Sequence, residues 1–110
     1  MAQSGPVPQV PAVQVPADAY LLDVREPEEW EAGHVPGAVH IPLGELGARY
    51  TELEQDRPLY VICRSGARSG RAAQALAGAG WDASNVSDGM VGWHAAGLPM
   101  TAGSGQPYVA

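Results

Sequence analysis

Short apolar runs alternate with segments of helical spacing along most of the chain. The apolar runs bounded by turn residues predict strands at Gln9–Val10, Tyr20–Val24, Ala38–Ile41, Leu59–Ile62 and Asn85–Ser87. Helical spacing and end signals predict helices from Pro27 to a stop at Gly33, and over Leu43–Leu53, Ser69–Ala79 and Met90–Ala96. This order predicts an α/β fold of three layers, with a central, mostly parallel sheet of about five short strands and helices on both faces.

Three polar segments follow directly after predicted strands. They are Asp23–Arg25, Cys63–Arg68 and Ser87–Gly89. Ligands of parallel sheets bind outside the carboxyl ends of the strands. We therefore expect these three segments to meet at one edge of the sheet and to form the functional site.

The chain length of 110 residues suits one domain. We expect a single domain over residues 1–100, with a flexible start at residues 1–6. The tail, residues 101–110, has no periodicity, and the sequence leaves open whether it is a loose arm or a docked extension.

The net charge of -6 argues against nucleic acid or an anionic membrane surface as a partner. No apolar run approaches the roughly 20 residues of a membrane helix. The first residues lack the basic region and apolar stretch of a signal peptide, so we expect a cytoplasmic protein. The sequence leaves the oligomeric state open.

The single cysteine, Cys63, excludes an internal disulfide and a zinc site with two thiolates. His40 and His94 have no partner at the spacing of metal ligands, so no metal site is predicted. A lone cysteine is most often a buried, inert residue. Cys63, however, lies between a predicted strand and a predicted helix, where the position itself favours a functional role.

The segment from Cys63 to Ser69 has the composition of an anion-binding loop. Gly66 permits a tight turn that directs successive N–H groups inward at a helix N-terminus. Arg64, Arg68 and Arg71 are half of the chain's six basic residues. Positive charge and N–H donors lower the pKa of a thiol, so we predict that Cys63 is a nucleophilic thiolate.

Several neighbouring residues have structural interpretations. Asp23 and Arg25 are candidates for an ion pair that supports the site, with substrate contact as the alternative. His34 lies in a Gly-His-Val-Pro-Gly turn, which favours a turn-stabilising hydrogen bond over a general base. The acidic run Glu26, Glu28, Glu29 and Glu31 is interpreted as a solvated face.

Four ordered blocks of the sequence resemble the single-domain bacterial rhodaneses, the thiosulfate sulfurtransferases. The motif Cys63-x-x-Gly66-x-Arg68-Ser69 resembles their active-site loop. The other blocks are Leu22–Glu26, Gly33–Pro42, and Gly89-Met90 with Trp93, Gly97 and Pro99. The resemblance runs from about Val7 to Pro99, and it implies a rhodanese-like fold. Many relatives have two glycines where this chain has Asp88-Gly89; the Asp88 carboxylate could pair with an arginine or face solvent.

The resemblance implies sulfur transfer without a cofactor. The Cys63 thiolate would attack the outer sulfur of thiosulfate, release sulfite and carry the sulfur as a persulfide. A thiol, cyanide or a protein would accept it. The implied substrate-binding residues are Arg64, Ser65, Gly66, Ala67, Arg68 and Ser69. The two arginines would orient the sulfonate and favour thiosulfate or another anionic donor over mercaptopyruvate.

Two other functions compete with this hypothesis. The same loop would serve a persulfide carrier or interaction module that exchanges sulfur with a partner protein. Phosphatases that share this fold have a loop one residue longer, with arginine six positions after cysteine. That position is Ser69 here, so phosphatase or arsenate reductase chemistry is disfavoured.

Overall fold

A computed structural model of the chain describes residues 5–110 and shows a five-stranded parallel sheet covered by helices. The strands are β1 (Gln9–Val10), β2 (Tyr20–Asp23), β3 (Val39–His40), β4 (Leu59–Ile62) and β5 (Ala83–Val86). The helices are α1 (Pro27–Ala32), α2 (Leu43–Arg49), α3 (Ala67–Gly78) and α4 (Gly89–Ala95). The strand order is β1-β5-β4-β2-β3, and each neighbouring pair is parallel. The predicted α/β fold is confirmed.

Element ends differ from the predictions where tertiary contacts outweigh the local signal. The predicted strand Asn85–Ser87 begins at Ala83 instead, because Ala83 pairs with Leu59 in register. The predicted helix Leu43–Leu53 ends at Arg49, and a 3-10 turn over Tyr50–Glu52 follows it. Helix α3 begins two residues before Ser69, directly after Gly66.

Two apolar clusters lie on opposite faces of the sheet, because successive side chains of a strand alternate in direction. Leu22 and Val61 belong to one cluster, with Leu46 of α2 and Leu76 of α3. The other cluster contains Leu21, Ile62, Val86, Met90 and Trp93. Both faces are therefore covered, as a parallel sheet requires.

The tail packs against the domain as a docked extension. Thr101 and His34 exchange main-chain hydrogen bonds of 2.9 and 2.8 Å. Further along, the N–H of Tyr108 donates to the Ala32 carbonyl at 3.0 Å. Of the predicted flexible start, residues 1–4 lie outside the described residues. Within residues 5–110, the helices are too short or too polar to cross a bilayer.

Candidate active site

The carboxyl edge of the sheet brings the three predicted segments together. Asp23 lies beside Ile62 in the register of β2 and β4. The N–H of Met90 donates to the Cys63 carbonyl at 2.9 Å, and the N–H of Val91 donates to the Arg64 carbonyl at 3.0 Å. The predicted convergence after β2, β4 and β5 is confirmed.

Cys63 is buried at the base of this edge, with 1% of its surface exposed. The Gly66 N–H donates to Sγ at 3.1 Å, and the Ser69 hydroxyl lies 3.2 Å from Sγ. Burial raises the pKa of the thiol, but the Ser69 hydroxyl and the N–H groups of Ser69, Gly66 and Ser65 lower it by more. The pKa of the Cys63 thiol is therefore below its ordinary value, so Cys63 ionises more readily than a free cysteine.

Asn85 holds Ser69 beneath the sulfur, and no sequence motif indicated it. The Asn85 amide nitrogen donates to the carbonyl of Gly66 at 3.1 Å and to Gln9 Oε1 at 2.8 Å, which fixes its orientation. The Asn85 Oδ1 then accepts from the Ser69 hydroxyl at 2.6 Å. The hydroxyl carries one proton, and both Asn85 Oδ1 and Sγ lie within hydrogen-bond distance of its oxygen.

Two glycines allow the loops after β4 and β5 to pack main chain against main chain. Gly66 has φ +103° and Gly89 has φ +58°, both in the left-handed region. A Cβ on Gly66 would collide with the carbonyl of Ser87. A Cβ on Gly89 would lie 2.6 Å from the carbonyl oxygen of Cys63. These positions require glycine for conformation and for space.

Arg68 forms a two-pronged ion pair with Glu29 of α1. Its Nη1 and Nη2 atoms lie 2.7 and 2.9 Å from the two carboxylate oxygens. Hydrogen bonds from Arg68 lower the pKa of Glu29 to about 2, against a smaller increase from burial. The prediction of a solvated acidic face is thus wrong for Glu29, because the fold places this carboxylate beside a loop arginine 39 positions away.

The other two arginines of the segment have different surroundings. Arg64 is exposed, and its Nε donates to the main-chain oxygen of Ala110 at 3.0 Å. Arg71 lines a groove between α2 and α3. Ser65 on the loop and Ala67 at the start of α3 are exposed. Arg64 lies on the loop, as the sequence predicted, whereas Arg68 lies in the first turn of α3, because the helix begins at Ala67. Each already has a hydrogen-bond acceptor within the protein.

Asp23 and Arg25 form an ion pair with both side chains 0% exposed. Arg25 Nη2 lies 2.8 Å from Asp23 Oδ2 and also donates to the Gly33 carbonyl at 2.7 Å. The His40 ring nitrogen Nε2 lies 2.8 Å from the Arg25 carbonyl, which can only accept. These bonds join β2, the end of α1 and β3 behind the loop.

His34 and Asp88 stabilise neighbouring turns. The predicted hydrogen bond of His34 is confirmed, since its Nδ1 lies 2.7 Å from the Trp30 carbonyl. Of the two alternatives for Asp88, the structure shows the exposed one, and within residues 5–110 the carboxylate forms no ion pair with an arginine. It accepts the Ala12 N–H at 2.8 Å and so connects the turn after β1 to the start of α4. Within residues 5–110, no three His, Cys, Asp or Glu side chains cluster as metal ligands would.

Comparison with known proteins finds the same fold and sequence pattern. The crystal structure of a rhodanese-related protein from Thermoplasma volcanium has a TM-score of 0.81 and 31% identity, over 86% of this chain and 97% of that one. A sulfurtransferase of Allochromatium vinosum is 36% identical over 80% of this chain and 83% of its own length. The putative sulfur carrier protein YrkF of Bacillus subtilis is 49% identical over 66% of this chain and 40% of its own length.

Several curated relatives are longer. The chain spans 46%, 40% and 38% of the length of three of them. The family model for the rhodanese-like domain matches residues 11–96, which contain every strand of the sheet except β1 and all four helices. With most of its length matched, the chain belongs to the rhodanese-like domain family.

Proposed function

We propose that the protein is a sulfurtransferase in which Cys63 carries the transferred sulfur as a persulfide. The observation that carries this proposal is the setting of Sγ, which receives the Gly66 N–H at 3.1 Å and lies 3.2 Å from the Ser69 hydroxyl. These donors stabilise an anion at the sulfur, and a thiolate is the nucleophile that sulfur transfer requires.

The first step is a displacement at sulfur. The Cys63 thiolate forms a bond to the outer sulfur of thiosulfate or a related anionic donor, and the donor's S–S bond breaks. Its electron pair leaves with sulfite. The inward N–H groups of the loop then hold the persulfide. In the second step a thiol, cyanide or a protein acceptor attacks the outer sulfur, the S–S bond to Cys63 breaks, and its electron pair returns to Cys63 as the thiolate.

The site favours sulfur over phosphorus as the target. The position six residues after Cys63 is Ser69, a buried residue whose hydroxyl bonds to Asn85 and faces Sγ. Phosphatases that share this fold have an arginine at that position, where its positive charge can bind the equatorial oxygens of a phosphoryl group. The neutral hydroxyl supports sulfur chemistry.

A second candidate function is a persulfide carrier that exchanges sulfur with a partner protein. Val91 is 44% exposed, and its N–H bonds to Arg64, so an apolar side chain lies beside the loop. The internal acceptors of Arg64 and Arg68 also reduce the positive charge open to a small anion. These features support docking of a protein donor or acceptor.

Intact mass spectrometry tests both candidates. We expect the wild-type protein to gain one sulfur atom after mixing with thiosulfate and to lose it on addition of cyanide or a thiol. Cys63→Ser should gain nothing while keeping its fold. A wild-type protein that gains sulfur only from a protein persulfide would favour the carrier, and one that gains none from either would contradict sulfur transfer.

A further inference from the structure

Glu29 lies on α1, outside the Cys63 loop, yet its carboxylate engages both terminal nitrogens of Arg68. The two distances are 2.7 and 2.9 Å. The planar guanidinium and carboxylate groups lie side by side and form two parallel hydrogen bonds. The edge of the guanidinium that would bind a sulfonate is therefore occupied by a carboxylate of this chain.

The Glu29 carboxylate is held in place by its own helix. Its Oε1 accepts the N–H of Glu26 at 3.0 Å, and the Glu26 side chain accepts the N–H of Glu29 in return. This reciprocal capping fixes the side chain at the first turn. Only 17% of the side chain is exposed, and its pKa of about 2 keeps it charged at neutral pH.

The pair changes the charge that an incoming donor meets. Arg68 contributes one positive charge at the start of α3, beside the Cys63 loop, and the negative charge of Glu29 neutralises it at hydrogen-bond distance. Arg64 bonds to the main-chain oxygen of Ala110 and is exposed, so salt and solvent screen its charge.

We infer that Glu29 determines donor specificity: by neutralising Arg68 it weakens the capture of doubly charged sulfur donors relative to singly charged donors of the same shape. This inference rests on the proposed sulfur transfer to Cys63. Glu29 acts through Arg68 and does not touch the donor. It selects for donors whose sulfur is attached to a less charged leaving group.

Thiosulfate and methanethiosulfonate are two small sulfur donors of similar shape that differ by one negative charge. Thiosulfate carries two negative charges, and methanethiosulfonate carries one because a methyl group replaces an oxygen. With either donor the Cys63 thiolate forms an S–S bond to the terminal sulfur and the donor's own S–S bond breaks. The electron pair leaves as sulfite or as methanesulfinate, and the step needs no oxidant.

The test compares KM and kcat for both donors at low ionic strength in wild type, Glu29→Gln and Glu28→Gln. Glutamine keeps the capping geometry but removes the charge. Glu28 is exposed on the same helix and makes no side-chain hydrogen bond with residues 5–110, so Glu28→Gln is the matched control. We expect Glu29→Gln to lower the KM for thiosulfate about three- to tenfold. The decrease for methanethiosulfonate should be smaller, with little change in kcat, and Glu28→Gln should resemble wild type.

The double variant Glu29→Gln/Arg68→Gln tests whether Glu29 acts through the charge of Arg68, because it removes both charges and leaves neither group unpaired. Its amide pair has the same net charge as the ion pair, so the ratio of the two KM values should return to that of wild type. A thiosulfate KM that rises selectively in this double variant would overturn the inference, because Arg68 would then bind the donor despite Glu29. Equal changes for both donors in Glu29→Gln would overturn it too.

Failure of the inference is distinct from failure of the proposed function. If neither donor adds sulfur to wild-type Cys63, sulfur transfer from small anions is refuted. If both donors add sulfur and the ratio of KM values is the same in wild type and Glu29→Gln, Glu29 only braces the loop and the inference alone is wrong.

Discussion

Two arginine–carboxylate pairs lie near Cys63, and their surroundings give them different consequences. Asp23 and Arg25 are 0% exposed and come from the same stretch of chain. Glu29 and Arg68 are 17% and 32% exposed and come from segments 39 residues apart. Removing one partner of the buried pair costs much folding free energy, because the remaining charge stays buried and unpaired. In the partly exposed pair, water solvates the remaining charge, so the cost is smaller. We call Asp23–Arg25 the inner pair and Glu29–Arg68 the outer pair, and we expect the inner pair to contribute more to the stability of the fold.

The largest effect is expected from Asp23→Ala. Its removal leaves the buried Arg25 without a counter-charge, so the free energy of unfolding should fall by about 3–5 kcal/mol. The melting temperature should drop by more than about 10 °C. Thermal unfolding followed by circular dichroism measures this, with the exposed Asp56→Ala as control. A loss no larger than that of Glu29→Gln would break the distinction between the two pairs.

A smaller effect is expected at the thiol, where the pKa of Cys63 distinguishes the role of the groups that contact Sγ from that of the outer pair. Ser69→Ala removes the hydroxyl near Sγ, so the pKa of the Cys63 thiol should rise. The pH at which alkylation by iodoacetamide reaches half its maximal rate should move upward. Ser65→Ala keeps the main-chain N–H and is exposed, so it serves as the control. If Arg68→Gln raises the midpoint more than Ser69→Ala, the arginine rather than the hydroxyl stabilises the thiolate.

The outer pair should contribute a modest, pH-dependent stability. The pKa of Glu29 is about 2 in the folded protein and 4.5 ordinarily, so its contribution is present above pH 4.5 and is lost between pH 4.5 and about 2. Because the pair is partly solvated, we expect at most about 1 kcal/mol. Urea unfolding of wild type and Glu29→Gln should differ at pH 6 and converge only as the pH falls toward 2. A constant difference would contradict this assignment.

The smallest effect is expected for the two exposed ion pairs that share Arg49. Arg49 bonds to Glu45 at 2.7 Å and to Glu52 at 3.0 Å, but all three side chains are well exposed. Arg49→Ala should leave the melting temperature almost unchanged, because water replaces the lost bonds. A decrease approaching that of Asp23→Ala would show that distance, rather than burial, controls the strength of these pairs.

The sequence predicted what depends on local pattern. The run Leu59–Ile62 followed by Cys63 and Gly66 indicated a strand, a loop and a helix, and all three are present. The strand at Ala83 was placed two residues late because Ala83 and Ser84 carry little apolar signal, and pairing with β4 extends the strand. The strand propensities of Ala83 and Ser84 alone do not predict that pairing.

The partners of the site residues were less predictable. Arg68 was assigned to the loop from its motif, but its bond to Glu29 depends on how α1 packs, which no spacing rule encodes. Asn85 was seen only as part of a short strand. Its role depends on Gln9, which is 76 residues away and reaches Asn85 only through the pairing of β1 with β5.

The contact of main chain with main chain at Gly66 and Gly89 has a consequence for variation. A saturation library should lose function at both positions even for alanine, because each added methyl group would displace a loop carbonyl. Substitutions at the exposed Arg64, Ser65 and Ala67 should be accepted far more often. Besides the Glu29–Arg68 pair, these three outward side chains are therefore open to new donor or acceptor preferences, while the two glycine positions behind them admit almost no change.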